Sequence, residues 1–475
     1  MSWAEIVLVC YLSVLSLLSL NGLHRLWMVW VWRRHRASAP PPADPAALPR
    51  VTVQLPLFNE RYVAERLVAA AAALRWPRDR LQIQVLDDST DDTAALAEAA
   101  VAQLVAQGVD ALFVHRTDRT GFKAGALEHG LASATGELLA VFDADFVPQP
   151  DFLERMVPWF ADPGVGMVQA RWGHLNARDS WLTRAQATLL DGHFVIEHTA
   201  RHDAGHWFNF NGTAGVWRRQ AILDAGGWQH DTLTEDLDLS YRAQLAGWRF
   251  RYVPEVVAPA ELPADMTGFK SQQHRWAKGS IQTARKLLGR IWRSPAPLGV
   301  KLEATAHLCA NFSYPLVIVL TLLLPWSIVA RMQPGARVAE LMRLDFVLFL
   351  FAVLPFVVFY AAAVRGAGGE RSRLWQLPAV LALGLGMAVS QSRAVAEGLW
   401  GEVGTFVRTP KRGGARGPLG YRVGSRGLAG LELLLALYLV GAGAWAIGQG
   451  YWASLPFLAL FAGGYGSVGL ATLRS

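Results

Sequence analysis

The stretch Glu137-Leu-Leu-Ala-Val-Phe-Asp-Ala-Asp-Phe-Val-Pro148 ends an apolar run in two carboxylates, Asp143 and Asp145, separated by one alanine. On an extended backbone, positions i and i+2 project to the same side. Two hard oxygen ligands can then converge on one divalent cation, and that cation can hold a diphosphate. Pro148 and Pro150 stop the strand, leaving the carboxylates at its C-terminal mouth, where open α/β sheets place their ligands. Asp-rich turns give the same spacing, so the pair takes its meaning from its company.

That company is acidic and ordered. Glu60 follows one apolar run, and Asp87 and Asp88 follow another. Several acids at one sheet edge repel one another unless cations or donors neutralise them. Lys123 and Arg119, in Arg119-Thr-Gly-Phe-Lys-Ala-Gly125, are candidate neutralisers and phosphate contacts, although a solvated loop lysine has the same appearance. Phe208-Asn-Phe-Asn-Gly-Thr-Ala-Gly-Val-Trp217 packs aromatics, amides and glycines into one turn and suits close approach of a ligand, with Phe210, Asn211 and Gly212 as candidate acceptor contacts. Thr234-Glu-Asp-Leu-Asp-Leu239 opens an amphipathic helix; one of its acids suffices for capping, which leaves Glu235 and Asp236 as candidates for chemistry. In Gln272-Gln-His-Arg-Trp276, helical spacing puts Gln272, Arg275 and Trp276 on one face. An amide, a guanidinium and an indole together suit phosphate oxygens and the C–H face of a sugar ring.

The elements that must position these residues are legible. Arg50–Pro56 alternates and is β-branched, an alanine-rich helix runs on through Leu74, and Leu81–Leu86 is a second strand. Strand, helix and strand at this spacing predict an α/β fold with a mostly parallel sheet.

The chain has 475 residues, 52% of them hydrophobic, enough for one large soluble domain plus a membrane part. Its net charge of +7 lies in arginines beside apolar runs, which points to membrane topology and away from nucleic acid. Two cysteines, Cys10 and Cys309, provide neither a disulfide framework nor a cysteine zinc site. Residues 1–36 read as a retained transmembrane anchor with its N-terminus outside, because Arg33, Arg34 and Arg36 follow the apolar run. A Pro/Ala linker spans 37–49, the soluble domain 50–277 and an amphipathic interface region 278–301. Within 302–475, apolar runs lie at about 302–330, 344–364, 374–389, 428–447 and 452–470. Counting all five as spans would put the basic loop 401–426 opposite the soluble domain, against the positive-inside rule. The expectation is therefore four spans plus an interfacial or re-entrant helix near 374–400, with the loops at 365–373 and 401–426 cytoplasmic.

The ordered motifs Asp87-Asp88, Asp143-Ala-Asp145, Thr234-Glu-Asp236 and Gln272-x-x-Arg-Trp276 resemble the membrane-bound processive glycosyltransferases of family 2, which include cellulose and hyaluronan synthases. The wording between them (Q-V-L-D-D-S-T-D, G-F-K-A-G-A-L, F-N-G-T-A-G-V-W-R, Q-Q-H-R-W) is similar to the plant cellulose-synthase-like mannan and glucan synthases. The resemblance implies a GT-A domain inserted between transmembrane helices, with Glu60 and Asp87 or Asp88 on the nucleoside and Lys123 at the nucleotide end. It implies Asp143 and Asp145 on the diphosphate and a Mg²⁺ or Mn²⁺ ion, Asp236 as general base, Gln272 and Arg275 on the leaving diphosphate, and Trp276 under the acceptor sugar. Phe406-Val-Arg-Thr-Pro-Lys411 resembles the gating loop of cellulose synthase, making Thr409 and Lys411 diphosphate candidates; a juxtamembrane basic patch is the plainer alternative. The implied activity is inverting transfer of glucose or mannose from a UDP- or GDP-sugar to a growing β-glycan on the cytoplasmic side of a membrane, the inner membrane if the source is bacterial. Transfer of one sugar to a lipid is the alternative; accessory subunits are not legible.

Overall fold

In a computed structural model, the described residues are 2–35, 48–333, 338–369, 371–401, 404, 411, 413 and 427–475. Seven strands form one sheet: β1 (Val51–Leu57), β2 (Leu81–Asp87), β3 (Asp110–His115), β4 (Leu138–Val141), β5 (Val165–His174), β6 (Gly215–Arg218) and β7 (Arg249–Ala260), in the order β3-β2-β1-β4-β6-β5-β7. Only β6 runs against its neighbours β4 and β5, so the sheet is mostly parallel as expected. β1 and β2 are buried along nearly their whole length because helices cover both faces, which is why they read as apolar runs more than as alternation. Parallel register, with Leu57 opposite Asp87 and Val51 opposite both Leu81 and Leu138, brings the C-terminal ends of β1, β2 and β4 to one edge. The acids that follow these strands in sequence therefore meet in space.

Two boundaries differ from expectation. β4 ends at Val141, so Asp143 and Asp145 lie in the turn beyond it and not on extended backbone. Phe142 still donates to the Gln54 carbonyl (3.1 Å), but the Asp143 N–H donates sideways to Thr213 Oγ1 (2.8 Å), and the chain leaves the ladder there. The stretch expected at the interface continues a single helix, Met266–Arg293, that also carries Gln272, Arg275 and Trp276. Asp265 caps it by accepting from the Gly268 N–H (2.8 Å).

Five helices among the described residues are long and apolar enough to cross a membrane: Trp3–Trp32, Ala310–Ala330, Glu340–Gly366, Ala429–Gly448 and Trp452–Arg474. A sixth apolar segment, Ser372–Gly386 with Ala388–Trp400, is bent by 42°. Its second half packs tightly on the Met266–Arg293 helix, where a Cβ at Gly398 would stand 2.8 Å from the Ile281 Cβ. Lys270 of the latter helix also forms a fully buried pair with Glu432 of the Ala429–Gly448 helix (2.6 Å). Removing either partner of such a pair would strand a charge at a cost of about 3–5 kcal/mol, so the Gln272–Trp276 face is fixed to the membrane helices.

Candidate active site

A cleft of about 190 Å³ opens at the shared strand edge, and Glu60, Asp88, Lys123, Asp143, Asp145, Asn211, Gly212, Glu235, Asp236, Gln272, Arg275, Trp276 and Lys411 all line it. Asp88, Asp143 and Asp145 each have a cationic partner brought by a different element. Lys123 Nζ stands 2.5 Å from Asp143 Oδ1 and donates to the Gly212 carbonyl (2.8 Å), while Lys411 Nζ donates to Asp145 Oδ2 (2.7 Å). Arg116 clamps Asp88 with two bonds of 2.8 and 2.6 Å, a fork geometry that also fixes the Phe122 carbonyl (3.0 Å). Arg66 holds Glu261 (2.8 Å), whose backbone N–H donates to Asp145 Oδ2 (3.2 Å). Arg119 lies over the Phe58 ring, 3.3 Å from its centroid, at the mouth of the cleft.

The lysine reaches this point because of backbone that few residues allow. Gly121 (φ +77°) and Phe122 (φ +49°) turn the chain into the helix Phe122–Leu131, which starts at Lys123's own turn. On the facing side Gly212 (φ +79°) and Ala214 (φ +53°) fold the loop before β6, and a Cβ at Gly212 would lie 3.0 Å from Asp236 Oδ2. Glycine is required there by that approach as well as by its φ.

Glu235 and Asp236 open the helix Glu235–Leu245, so the acids sit in its first turn. Asp238, three residues from Glu235, is the structural acid of the group: it is fully buried and paired with Arg242 (2.7 Å) and Lys286 (3.0 Å). Asp236 instead faces the cleft, and its Oδ1 accepts only locally from the Leu237 N–H (2.8 Å). Burial, then the adjacent Glu235, raise the Asp236 carboxyl to about 7, against the opposing pull of Lys123. Burial likewise raises Glu235 and lowers Arg275 to about 10. Burial also works to lower Lys123, but Asp143 and Glu235 outweigh it and the ammonium is raised. The centre is thus a desolvated cluster in which one carboxylate is poised near neutrality.

A second cavity, of about 1430 Å³, runs from this point among the membrane helices. The two spaces share Asn211, Asp236, Gln272, Trp276 and Trp172, so they meet at Asp236. Trp172 stands between Trp276 and Phe146, with ring centroids 6.4 and 5.2 Å away, and continues the aromatic wall.

Two expected contacts fall elsewhere, and a third is not placed. Phe210 is fully buried against Trp217 and Trp228, so its ring is core packing and not an acceptor platform. Asp87 is fully buried behind Asp88, held by His115 (2.7 Å), and does not line the cleft. Thr409 lies outside the described residues. Sequence reasoning missed Arg116, Glu261 and Trp172. The arginine two residues after the apolar run Ala111–Val114 was the signal for an acid clamp only if β2 and β3 were known to pair. Trp172 closes the run Val168-Gln-Ala-Arg-Trp172, which gives no sign by itself of a wall beside Trp276.

Residues 49–279 match the family model described as "Glycosyltransferase like family 2". Among curated relatives, "Glucomannan 4-beta-mannosyltransferase 1" of Oryza sativa subsp. japonica is 41% identical over 289 residues, covering 59% of this chain and 55% of its own length. "Glucomannan 4-beta-mannosyltransferase 2" of Arabidopsis thaliana is 44% identical over 251 residues, covering 52% and 47%. This chain spans about half the length of the curated relatives it matches. Among solved structures, mannosyltransferase PcManGT from Pyrobaculum calidifontis, in complex with GDP-Man and Mn²⁺, shares the fold with a TM-score of 0.58 at 23% identity, covering 83% of this chain and 99% of that one.

Proposed function

We propose, from the premise that residues 49–279 form a glycosyltransferase family 2 domain of GT-A fold, that this protein is a membrane-embedded β-glycan synthase. It takes a hexose, mannose before glucose, from a nucleotide-sugar and adds it to a growing chain with inversion. The observation that carries the reading is the meeting of two spaces at Asp236: a polar cleft lined by acids and cations and a long cavity among membrane helices. The relatives' names, both 4-beta-mannosyltransferases, and the GDP-Man in the neighbour's title support mannose and a guanosine nucleotide.

Lys123, Gln272 and Arg275 line the diphosphate end, where negative charge grows as the sugar leaves. Asp236 takes the proton from the acceptor hydroxyl, whose oxygen forms the new bond to the anomeric carbon. The bond from that carbon to the phosphate oxygen breaks, and its electron pair leaves with the nucleoside diphosphate. One in-line displacement turns an α-linked donor into a β-linked product. Trp276, backed by Trp172, offers the face on which the acceptor sugar stacks. Glu60 and Asp88 lie toward the nucleoside end, and Lys411 reaches the diphosphate side.

Asp143 and Asp145 are hard oxygen donors, each with an ammonium within 2.7 Å, so both already bind positive charge and fit a divalent cation. No cluster of three or more acidic, His or Cys side chains suited to a metal occurs among the described residues, so the diphosphate and water would supply the remaining ligands. Bound there, Mg²⁺ or Mn²⁺ supplies neutralisation of the diphosphate charge. The catalytic domain lies on the cytoplasmic side, with the N-terminal helix as an anchor. Incubating membranes with labelled GDP- and UDP-hexoses and either metal tests the reading. Polymer from one donor is expected; single-sugar lipid alone overturns polymerisation.

A further inference from the structure

We propose that the N-terminal membrane helix is part of the catalytic apparatus: Arg25, acting through Glu197 and His193, positions the Asn211–Gly212 loop against Asp236. This deepens the transferase reading and rests on it. The segment Gly192–His198 is a π-helical turn, a form that costs hydrogen-bond geometry and concentrates at functional positions. It is pressed on the membrane helix behind it, since a Cβ at Gly192 would come within 2.6 Å of the Phe359 ring.

The turn carries an unbroken polar relay. Arg25, from the Trp3–Trp32 helix, pairs with Glu197. Glu197 Oε2 lies 3.1 Å from His193 Nδ1, and His193 Nε2 lies 2.9 Å from Asn211 Oδ1. Asn211 Nδ2 is in turn 2.7 Å from His198 Nε2, so the amide is held at both ends. A second strand of the relay braces the first: His24 meets Glu303 (2.7 Å), and Arg201 joins Glu303 (2.9 Å) to Glu197 (3.3 Å). The next residue after Asn211 is Gly212, whose carbonyl seats Lys123 and whose Cα passes so close to Asp236 that a Cβ would crowd its carboxylate.

Arg25, Glu197, His193 and Asn211 are each engaged by another protein side chain, with only Arg25 Nε and His198 Nδ1 lacking a partner, which suits rigid positioning more than direct reading of a sugar. His193 and Glu197 also line the large cavity, so the relay forms its wall where the acceptor end must lie. Arg25 is thus a charge placed within a membrane helix with a purpose beyond anchoring, and its cost is offset by Glu197 and by the Phe359 face (4.8 Å).

The test uses the full-length protein in lipid nanodiscs, with labelled GDP-mannose and a short β-linked mannan oligosaccharide as acceptor. The active fraction is counted by donor-binding stoichiometry. Per donor-binding site, Arg25→Gln and Glu197→Gln are expected to lower kcat for transfer about tenfold and leave the donor KM within about twofold. Arg25→Lys, which keeps the charge, restores most of the rate. If Arg25→Gln is not recovered folded, His193→Gln, which leaves the ion pairs in place, carries the same criteria. Wild-type rates per site in these variants, or equal losses in donor binding and turnover that Arg25→Lys does not rescue, would overturn the relay. A wild-type protein that binds no nucleotide-sugar and transfers nothing would instead overturn the transferase reading.

Discussion

The polar cleft and the membrane cavity, proposed above as donor and acceptor sites, meet at one carboxylate but are built on opposite principles. In the cleft the acids beyond the strand ends are matched by cations from other elements: Asp143 by Lys123, Asp145 by Lys411 and Asp88 by Arg116. In the cavity the walls are mainly apolar membrane helices, interrupted by a polar relay whose charged groups pair with one another. A diphosphate brings charge and must find charges ready to rearrange; a neutral glycan brings hydroxyls and ring faces and needs a smooth, shaped path. Asp236 belongs to both spaces, and that is where the proposed proton transfer would join them.

The comparison breaks most severely at the shared residue. Asp236→Asn keeps the volume but removes the base, so kcat should fall by about 10³-fold, with donor binding by equilibrium dialysis retained. On the cleft side, Arg275→Ala should lower kcat by about 10²-fold, because the leaving diphosphate loses a buried guanidinium while the acceptor KM stays put. On the cavity side, Trp276→Ala should do the converse: the acceptor KM rises about tenfold and the donor KM does not move, matching the loss of one aromatic face. Initial rates across both substrate concentrations separate these two patterns, and identical patterns would erase the distinction between the spaces.

The smallest effect is in pH. A carboxyl raised to about 7 is protonated below that point and cannot act as base, so the rate should rise with pH through about 7. Because Glu235 is among the causes that raise Asp236, Glu235→Gln should move this acid limb to lower pH. A limb that stays in place in that variant would show that burial alone sets it.

Much of the cleft was legible because its residues follow strand ends, and a parallel sheet must deliver consecutive strand ends to one edge. Asp88, Asp143, Asp145 and Lys123 needed only that rule and the α/β pattern. The helix face bearing Gln272, Arg275 and Trp276 needed only the helical repeat. Phe210 was misread because alternation within Phe208-Asn-Phe-Asn211 does not say which side is core; Trp217 and Trp228, distant in sequence, claim its ring. Asp87 and Asp88 are adjacent, and only the pairing of β2 with β3 decides that His115 takes one and Arg116 the other. The relay through Glu197 was invisible, since Arg25, the His193–Arg201 stretch, Asn211 and Glu303 lie far apart in sequence and a π-turn has no sequence signature of its own.

The central claim is that sugar enters by the cleft, is joined at Asp236 and leaves as a chain through the cavity. Determining the length and anomeric configuration of the product made by purified, lipid-reconstituted protein from labelled GDP-mannose tests this most directly. The account predicts β-linked chains of many residues, degraded by an endo-β-mannanase. α-Linked product, or a single mannose left on lipid, would contradict it.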